Sequence, residues 1–278
     1  MSLVKVNFFS KSLNMRTEVS VVLPEYSAQR EAGDHYKEKF PAGVRFPVLY
    51  FLNGFTGDYT DCLTMMPTER YAQETGIAVV MPSGLNSWYE DVEGGPGMCT
   101  FIAKELPAAM EAMLPVSDQA GERFLGGLSM GGRGAAVISA RYPGMYRAVV
   151  CLSAPLNLRS LLENGAGHDR ELLEKNMERV FGKNRNWDSE EYDYAAIAKR
   201  KMGEGIRLPD MLYLFGTEDP LFPYQFPDFL SFAEEYRLPV TANAWDGGKH
   251  DFEFWEPAMK QAMTWLASKN RKMEKEEV

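Results

Sequence analysis

Cysteine and long apolar runs are scarce in this chain of 278 residues. The three cysteines, Cys62, Cys99 and Cys151, are odd in number and widely spaced, which argues against a disulfide framework and against a zinc site. No stretch of about 18 consecutive apolar residues occurs, so no membrane-spanning helix is predicted. The first residues also lack the apolar segment of a secretory signal peptide. Together these absences predict a soluble, cytoplasmic protein with reduced thiols.

Basic residues are outnumbered by acidic ones, with 30 Lys and Arg against 39 Asp and Glu and a formal net charge of −9. No run of Lys and Arg within the body of the chain offsets this excess. An acidic surface repels phosphate groups, so nucleic acid is not an expected partner. A membrane is not expected either, and the sequence leaves open whether copies of the chain form a homo-oligomer.

Apolar residues make up 45% and charged residues 25% of the chain, as in an ordinary globular protein. Two segments, Val4 to Phe9 and Glu18 to Leu23, are typical of strands that pair as an antiparallel edge. Further segments of strand length follow, and most are the continuous apolar runs of strands buried on both faces of a sheet. They cover residues 47–52, 77–81, 123–126, 148–152, 211–215 and 240–245.

Helical patterns lie between these strands, over residues 68–75, 101–114, 129–142, 226–236 and 257–268. Strands that alternate with helices predict an α/β protein, with a mostly parallel central sheet and helices on both faces. We expect residues 1–278 to form a single domain. A charged, helix-forming stretch at about 156–208 breaks the alternation, and we interpret it as a cap-like insertion over one end of the sheet. The polar stretch 24–47 is expected to be a loop.

The chemistry is indicated by Gly127-Leu128-Ser129-Met130-Gly131, a G-x-S-x-G sequence between an apolar strand and an Ala-rich helix. In a nucleophile elbow of this kind, a strained turn lifts the serine hydroxyl clear of the sheet. A Cβ at either flanking glycine would clash with the neighbouring chain. The following helix points its free N–H groups at the same place. The pattern alone is common, but in this context it predicts Ser129 as a nucleophile in an α/β-hydrolase fold.

The general base of such a serine should be a histidine that comes late in the chain, after the acid. His35 precedes Ser129, and His168 lies in a polar stretch. His250 instead follows the last predicted strand, in a loop that contains two glycines. We therefore predict that His250 is the general base.

The acid that orients the histidine should follow the next-to-last strand. Glu218 and Asp219 both qualify there. We prefer Asp219, which precedes the turn-forming Pro220, and keep Glu218 as the alternative. The expected role of the acid is to accept the Nδ1 hydrogen of His250 and to stabilise the imidazolium.

Hydrolysis by acyl transfer also needs donors for an oxyanion. The backbone N–H of Met130, directly after the nucleophile, is one expected donor. The other should come from the glycine-containing loop at 52–58, and we predict the N–H of Phe55. The triad and these donors require no metal or organic cofactor.

Five segments together resemble the "Putative esterase" family, which includes esterase D, bacterial tributyrin esterases and S-formylglutathione hydrolases. The resemblance implies a serine hydrolase of short-chain acyl esters that uses Ser129, Asp219 and His250, with Phe55 and Met130 as oxyanion donors. Its partner would be a small-molecule ester. The matching segments span nearly the whole chain and are LYFLNGFTGDYTDCL (49–63), VMPSGLNSWYED (80–91), FLGGLSMGGRGA (124–135), LYLFGTEDPL (212–221) and WDGGKHDFEFW (245–255).

The resemblance leaves the substrate open. An S-formylglutathione hydrolase, which is a thioesterase, and a feruloyl or acetylxylan esterase are the alternatives, and a non-catalytic binding module is the least favoured. Many relatives carry His-Gly where this chain has Asn-Gly at 53–54; because the donor there is a main-chain group, the asparagine should be tolerated. Aromatic residues are expected to line the substrate pocket, namely Trp88, Tyr89, Phe222 and Trp255.

Overall fold

A single sheet of eight strands lies at the centre of the computed structural model, which describes residues 1–25, 42–165, 170–183, 189 and 191–271. The strand order across the sheet is β1-β2-β4-β3-β5-β6-β7-β8. The pairs β1–β2 and β2–β4 are antiparallel, and all later pairs are parallel. The predicted α/β fold with an antiparallel edge is therefore confirmed. The strands are β1 Ser2–Ser10, β2 Met15–Leu23, β3 Val48–Leu52, β4 Ala78–Pro82, β5 Arg123–Leu128, β6 Ala148–Leu152, β7 Asp210–Gly216 and β8 Val240–Trp245.

Helices connect the strands and cover both faces of the sheet. Short π-helical turns lie at Phe101–Glu105 and Leu161–Gly165, and a 3-10 turn at Ala120–Glu122 precedes β5. None of the described helices is long and apolar enough to cross a membrane. The α-helices of the described residues are α1 Asp61–Thr64, α2 Thr68–Thr75, α3 Met98–Thr100, α4 Leu106–Met113, α5 Met130–Arg141, α6 Leu158–Ser160, α7 Arg170–Phe181, α8 Tyr194–Gly203, α9 Phe222–Glu235 and α10 Phe252–Arg271.

The central strands are buried on both faces because alternate side chains enter two separate apolar cores. In β3, Val48, Tyr50 and Leu52 pack into the core that contains α5, whereas Leu49 and Phe51 pack into the core that contains α2 and α10. Each fully buried side chain of this kind contributes about 1.5–3 kcal/mol to folding. The carboxyl ends of these well-packed parallel strands provide a rigid edge for a functional site.

Two helices begin earlier than the sequence indicates. The predicted helices at 226–236 and 257–268 start in the structure at Phe222 and Phe252. For α10 the reason is a cap: the Asp251 carboxylate accepts hydrogen bonds from the Glu253 and Phe254 amides, at 3.1 and 3.3 Å. Capping satisfies amides at the helix start, so the helix begins before Pro257, which lies inside it.

The stretch 156–208 contains α6, α7 and α8, with residues 166–169, 184–188 and 190 outside the described part. The predictions for His35 and His168, most of the predicted 24–47 loop and the chain end after residue 271 likewise concern residues outside it.

Candidate active site

Ser129 lies between the end of β5 and the start of α5, in a strained turn. Its φ of 52° and ψ of −119° are rarely adopted by a residue with a side chain. The flanking glycines allow the turn, because a Cβ on Gly127 would lie 2.7 Å from the Leu52 carbonyl oxygen and one on Gly131 would overlap the same atom. The Ser129 amide donates to the Leu152 carbonyl at 2.8 Å. The backbone thus holds this hydroxyl at the carboxyl edge of the sheet.

His250 and Asp219 form a hydrogen-bonded chain with this serine. His250 Nε2 lies 2.9 Å from Ser129 Oγ, and His250 Nδ1 lies 2.7 Å from Asp219 Oδ2. Asp219 is 1% exposed, and its other oxygen accepts the Leu221 amide at 2.8 Å. Since an ionised carboxylate can only accept, it assigns the imidazole proton to Nδ1 and leaves Nε2 free to accept from Ser129.

Asp219, and not its neighbour, is brought to the imidazole. The Glu218 side chain is 60% exposed, and its nearest cation is Lys249 at 3.9 Å. The imidazole is also held by Trp255, whose ring meets it edge-on with centroids 4.9 Å apart. The Trp255 indole donates in turn to the buried Ser153 hydroxyl at 3.1 Å.

The loop that carries Phe55 passes directly beside the serine. A Cβ on Gly54 would lie 2.8 Å from the Leu128 side chain and 3.6 Å from Ser129 Cβ, so glycine permits this close approach. Within the described residues, the amides of Phe55 and Met130 have no hydrogen-bond acceptor. Both remain available for an oxyanion.

The Asn53 side chain braces this loop. It is 1% exposed, and its Nδ2 donates to the Gly54 carbonyl at 2.8 Å while its Oδ1 accepts the Gly84 amide at 2.8 Å. The Tyr89 hydroxyl donates to the Asn53 carbonyl at 3.0 Å. An asparagine at this position therefore holds the loop through buried hydrogen bonds at both the Nδ2 and the Oδ1 atom.

A cavity of about 500 Å³ opens above Ser129 and His250, within the usual range for small-molecule sites. Trp88 and Trp255 line it, as expected. Tyr89 and Phe222, expected there too, are not among its lining residues. Tyr89 turns its hydroxyl towards Asn53, and Phe222 stacks with other rings of α9 and β7. The lining also includes Phe55, Leu128, Pro155, Pro220, Leu221 and Phe252.

Three further lining residues carry no signal in the sequence. Leu161 and Leu173 enter from the 156–208 stretch, so this stretch forms one wall of the cavity. Asp61 of α1 is the third. Burial, assisted by the neighbouring Asp58 carboxylate, raises the pKa of Asp61. No Lys or Arg lies among the described lining residues.

Comparisons with known proteins indicate the family to which the chain belongs. The family described as "Putative esterase" matches residues 10–266. An acetyl esterase of Caldicellulosiruptor saccharolyticus is 26% identical over 272 residues, which cover 96% of this chain and 98% of that protein. Two Staphylococcus aureus structures each align over 96% of this chain and 98% of their own chain. FphF, a fluorophosphonate-binding serine hydrolase, has a TM-score of 0.83 and 23% identity, and the S-formylglutathione hydrolase FrmB has a TM-score of 0.78 and 24% identity.

The two solved structures share the architecture described above, including the mostly parallel sheet with helices on both faces. The family match extends over most of the chain, from β1 to α10. The chain belongs to the "Putative esterase" family and is an ester-hydrolysing enzyme with the α/β-hydrolase fold.

Proposed function

We propose that the chain is a carboxylesterase that hydrolyses short-chain acyl esters with Ser129, His250 and Asp219 as its catalytic triad. The observation that carries the proposal is the continuous chain of hydrogen bonds from Ser129 Oγ through the imidazole to the buried Asp219. This is the arrangement that activates a serine for attack on a carbonyl. Similarity to an acetyl esterase supports a small acyl group.

In the proposed reaction, His250 Nε2 takes the proton of Ser129 Oγ as that oxygen attacks the ester carbonyl. Asp219 stabilises the imidazolium that forms. The tetrahedral intermediate then collapses, and the alcohol leaves with the proton from His250. Water, deprotonated by the same imidazole, attacks the acyl-enzyme and releases the acid.

The negative charge on the carbonyl oxygen is assigned to the amides of Phe55 and Met130. Both belong to backbone positioned before substrate arrives, one in the braced loop and one at the start of α5. Preorganised donors of this kind need no rearrangement during the reaction, and each is typically worth about 10²–10³ in kcat. The positive end of the α5 dipole adds to the same effect.

Removing the serine hydroxyl tests the assignment most directly. Ser129→Ala should lower hydrolysis of p-nitrophenyl acetate by about 10⁴-fold or more and should abolish labelling by a fluorophosphonate. An unchanged circular dichroism spectrum would show that the variant is folded. Turnover near the wild-type rate in a folded Ser129→Ala protein would disprove the proposal.

Adjacent acidic residues provide a matched pair of variants for the same experiment. Asp219→Ala should lower kcat by about 10⁴-fold, because the imidazole loses its orienting partner. Glu218→Ala removes an exposed carboxylate from the neighbouring position and should leave the rate within about 2-fold. A larger loss for Glu218 than for Asp219 would contradict the geometry.

The cavity also bears on the substrate. Its rings, Phe55, Trp88, Phe252 and Trp255, favour one further candidate, an ester of a sugar or an aryl acid. Thioester hydrolysis of S-formylglutathione is less well supported, because glutathione carries two carboxylates. The cavity contains the acidic Asp61, and no Lys or Arg is among its described lining residues.

Rates on esters from acetyl to octanoyl, on an acetylated sugar and on S-formylglutathione would rank these substrates. A preference for octanoyl esters or for the thioester would contradict the short-chain ester assignment.

A further inference from the structure

Residues 85–89 form a strained segment beside the active site, which we call the clamp. Leu85, Asn86, Trp88 and Tyr89 all have positive φ, between 50° and 60°. Non-glycine residues other than Asn and Asp rarely adopt this left-handed conformation, and such strain concentrates at functional sites. The contacts that impose it here come from two different elements.

One set of contacts joins the clamp to the loop that carries the proposed oxyanion donor. Asn86 Oδ1 accepts a hydrogen bond from the Thr56 amide at 2.7 Å. Thr56 directly follows Phe55 and itself has a φ of 67°. The Phe55 ring stacks on Trp88 of the clamp, with centroids 6.3 Å apart and an angle of 28°. The clamp thus holds both the Phe55 side chain and the Thr56 backbone that directly follows it.

The other set joins the clamp to helix α7 of the 156–208 stretch. The Asn176 amide spans two clamp residues: its Nδ2 donates to the Asn86 carbonyl at 2.9 Å, and its Oδ1 accepts the Trp88 indole at 2.9 Å. The Arg179 guanidinium donates to the same Asn86 carbonyl at 3.0 Å. A path of direct hydrogen bonds therefore runs from α7 through Asn86 to the loop beside Ser129.

We propose that Asn86 and Asn176 are positioning residues that couple the docking of α7 to the geometry of the oxyanion site. Asn176 holds the clamp, and Asn86 holds the Thr56 amide, so that the neighbouring Phe55 amide is aimed at the developing oxyanion. Leu173 on the same helix lines the cavity, so a substrate packed against α7 also steadies this path. The inference rests on the proposed function, in which the Phe55 amide is a donor.

A helix that only covered the cavity would act differently on the kinetics. Loss of a cover weakens substrate binding and raises KM, whereas loss of an interaction made in the transition state lowers kcat with KM unchanged. Misplacement of an oxyanion donor should also weaken a boronic acid inhibitor, because its adduct with serine places an oxygen at the oxyanion position. These readouts separate positioning from covering.

The test uses the full chain with four substitutions. Asn86→Gly removes the acceptor of the Thr56 amide but permits the positive φ. Asn86→Asp keeps an acceptor oxygen there, and aspartate tolerates this conformation. Asn176→Ala removes both of its contacts to the clamp. Lys175→Ala, on the same helix, is the matched control, since Lys175 is exposed and pairs with the exposed Glu171.

We expect Asn86→Gly and Asn176→Ala each to lower kcat by about 10-fold, with KM within about 2-fold, since a misplaced donor should cost less than a deleted one. Phenylboronic acid should bind more weakly by a similar factor. The double variant that combines Asn86→Gly with Asn176→Ala should be little worse than either single one, because both act through one path. Asn86→Asp should retain most of the wild-type kcat, and Lys175→Ala all of it.

Three results would overturn the proposal: a raised KM with kcat retained, additive losses in the double variant, or unchanged kinetics in both folded single variants. Each of these three results can be observed only if the wild-type enzyme is active. They are therefore distinguishable from failure of the triad assignment, which would appear as turnover by Ser129→Ala.

Discussion

Among the described residues, Asp61 is the one acidic side chain that lines the cavity beside the apolar and aromatic residues. Its carboxylate lies over Gly57, where a Cβ would overlap the Asp61 Oδ2 atom. The absence of a side chain at residue 57 thus gives the carboxylate its place beside the loop that carries Phe55. A negative charge in the same cavity as Ser129 should select against anionic esters.

This selection can be measured with a pair of acetate esters that differ in charge, phenyl acetate and 4-acetoxybenzoate. Asp61→Asn should raise kcat/KM for the anionic ester relative to the neutral one by about 3- to 10-fold. The control Asp118→Asn removes a charge before β5, at the far end of that strand from Ser129, and should not change the ratio. An unchanged ratio in Asp61→Asn would contradict this role.

The same ratio should depend on pH in the wild-type enzyme. Burial and Asp58 raise the pKa of Asp61, so its charge is present above that pKa and is lost as the pH falls through it. Discrimination against the anionic ester should therefore weaken as the pH falls. Because both esters use the same triad, effects of pH on the triad are common to both, and the contribution of Asp61 is the part of the change that Asp61→Asn abolishes.

At the scale of elements, α5 does more than present the serine. Arg133 on this helix is fully buried and donates to the Trp88 carbonyl at 2.9 Å, to Glu90 at 2.6 Å and to the Tyr192 carbonyl at 2.6 Å. Burial lowers the pKa of the Arg133 guanidinium, and Glu90 opposes this shift. Glu90 also pairs with Arg141 at 2.6 Å. These bonds join the nucleophile helix to the clamp and to the chain before α8.

Removal of Glu90 should therefore destabilise the protein strongly. Glu90→Ala leaves a buried guanidinium without its counter-charge, and we expect a loss of about 3–5 kcal/mol in the free energy of unfolding, measured with urea. Glu171→Ala breaks an exposed pair on α7 and should cost less than about 1 kcal/mol. Equal losses for the two variants would show that the buried network contributes little.

At the scale of the molecule, the sheet separates two apolar cores, and both contain cysteine. Cys99 and Cys151 lie in the core with α5, and Cys62 lies in the core with α2 and α10. Burial raises the pKa of all three thiols, that of Cys99 to about 11. Since the thiolate is the reactive form, these cysteines should be inert while the fold is intact.

Thiol labelling then reports on the integrity of both cores. At pH 8, Ellman's reagent should label none of the three cysteines in the folded protein and all three in guanidinium chloride. Esterase activity should be unaffected by iodoacetamide over the same period. Rapid labelling of one thiol in the active enzyme would contradict the packing of the core that contains it.

Local patterns along the chain were sufficient to predict the order of the main strands and helices. Apolar runs of strand length and the helical patterns between them can each be recognised within a short segment. The nucleophile elbow could also be recognised locally, since the glycines that permit its turn lie two residues before and two residues after Ser129. His250 could be singled out because the other two histidines are badly placed in chain order.

The choice between Glu218 and Asp219 needed the tertiary structure, because both follow the same strand and only the fold directs one of them to His250. Tyr89 was expected at the cavity from the family resemblance and Phe222 as an aromatic residue near the site, whereas packing turns both away from it. The bond between Asn86 and Asn176 joins residues 90 positions apart. No local pattern encodes such a contact, since it depends on where the complete sheet brings α7.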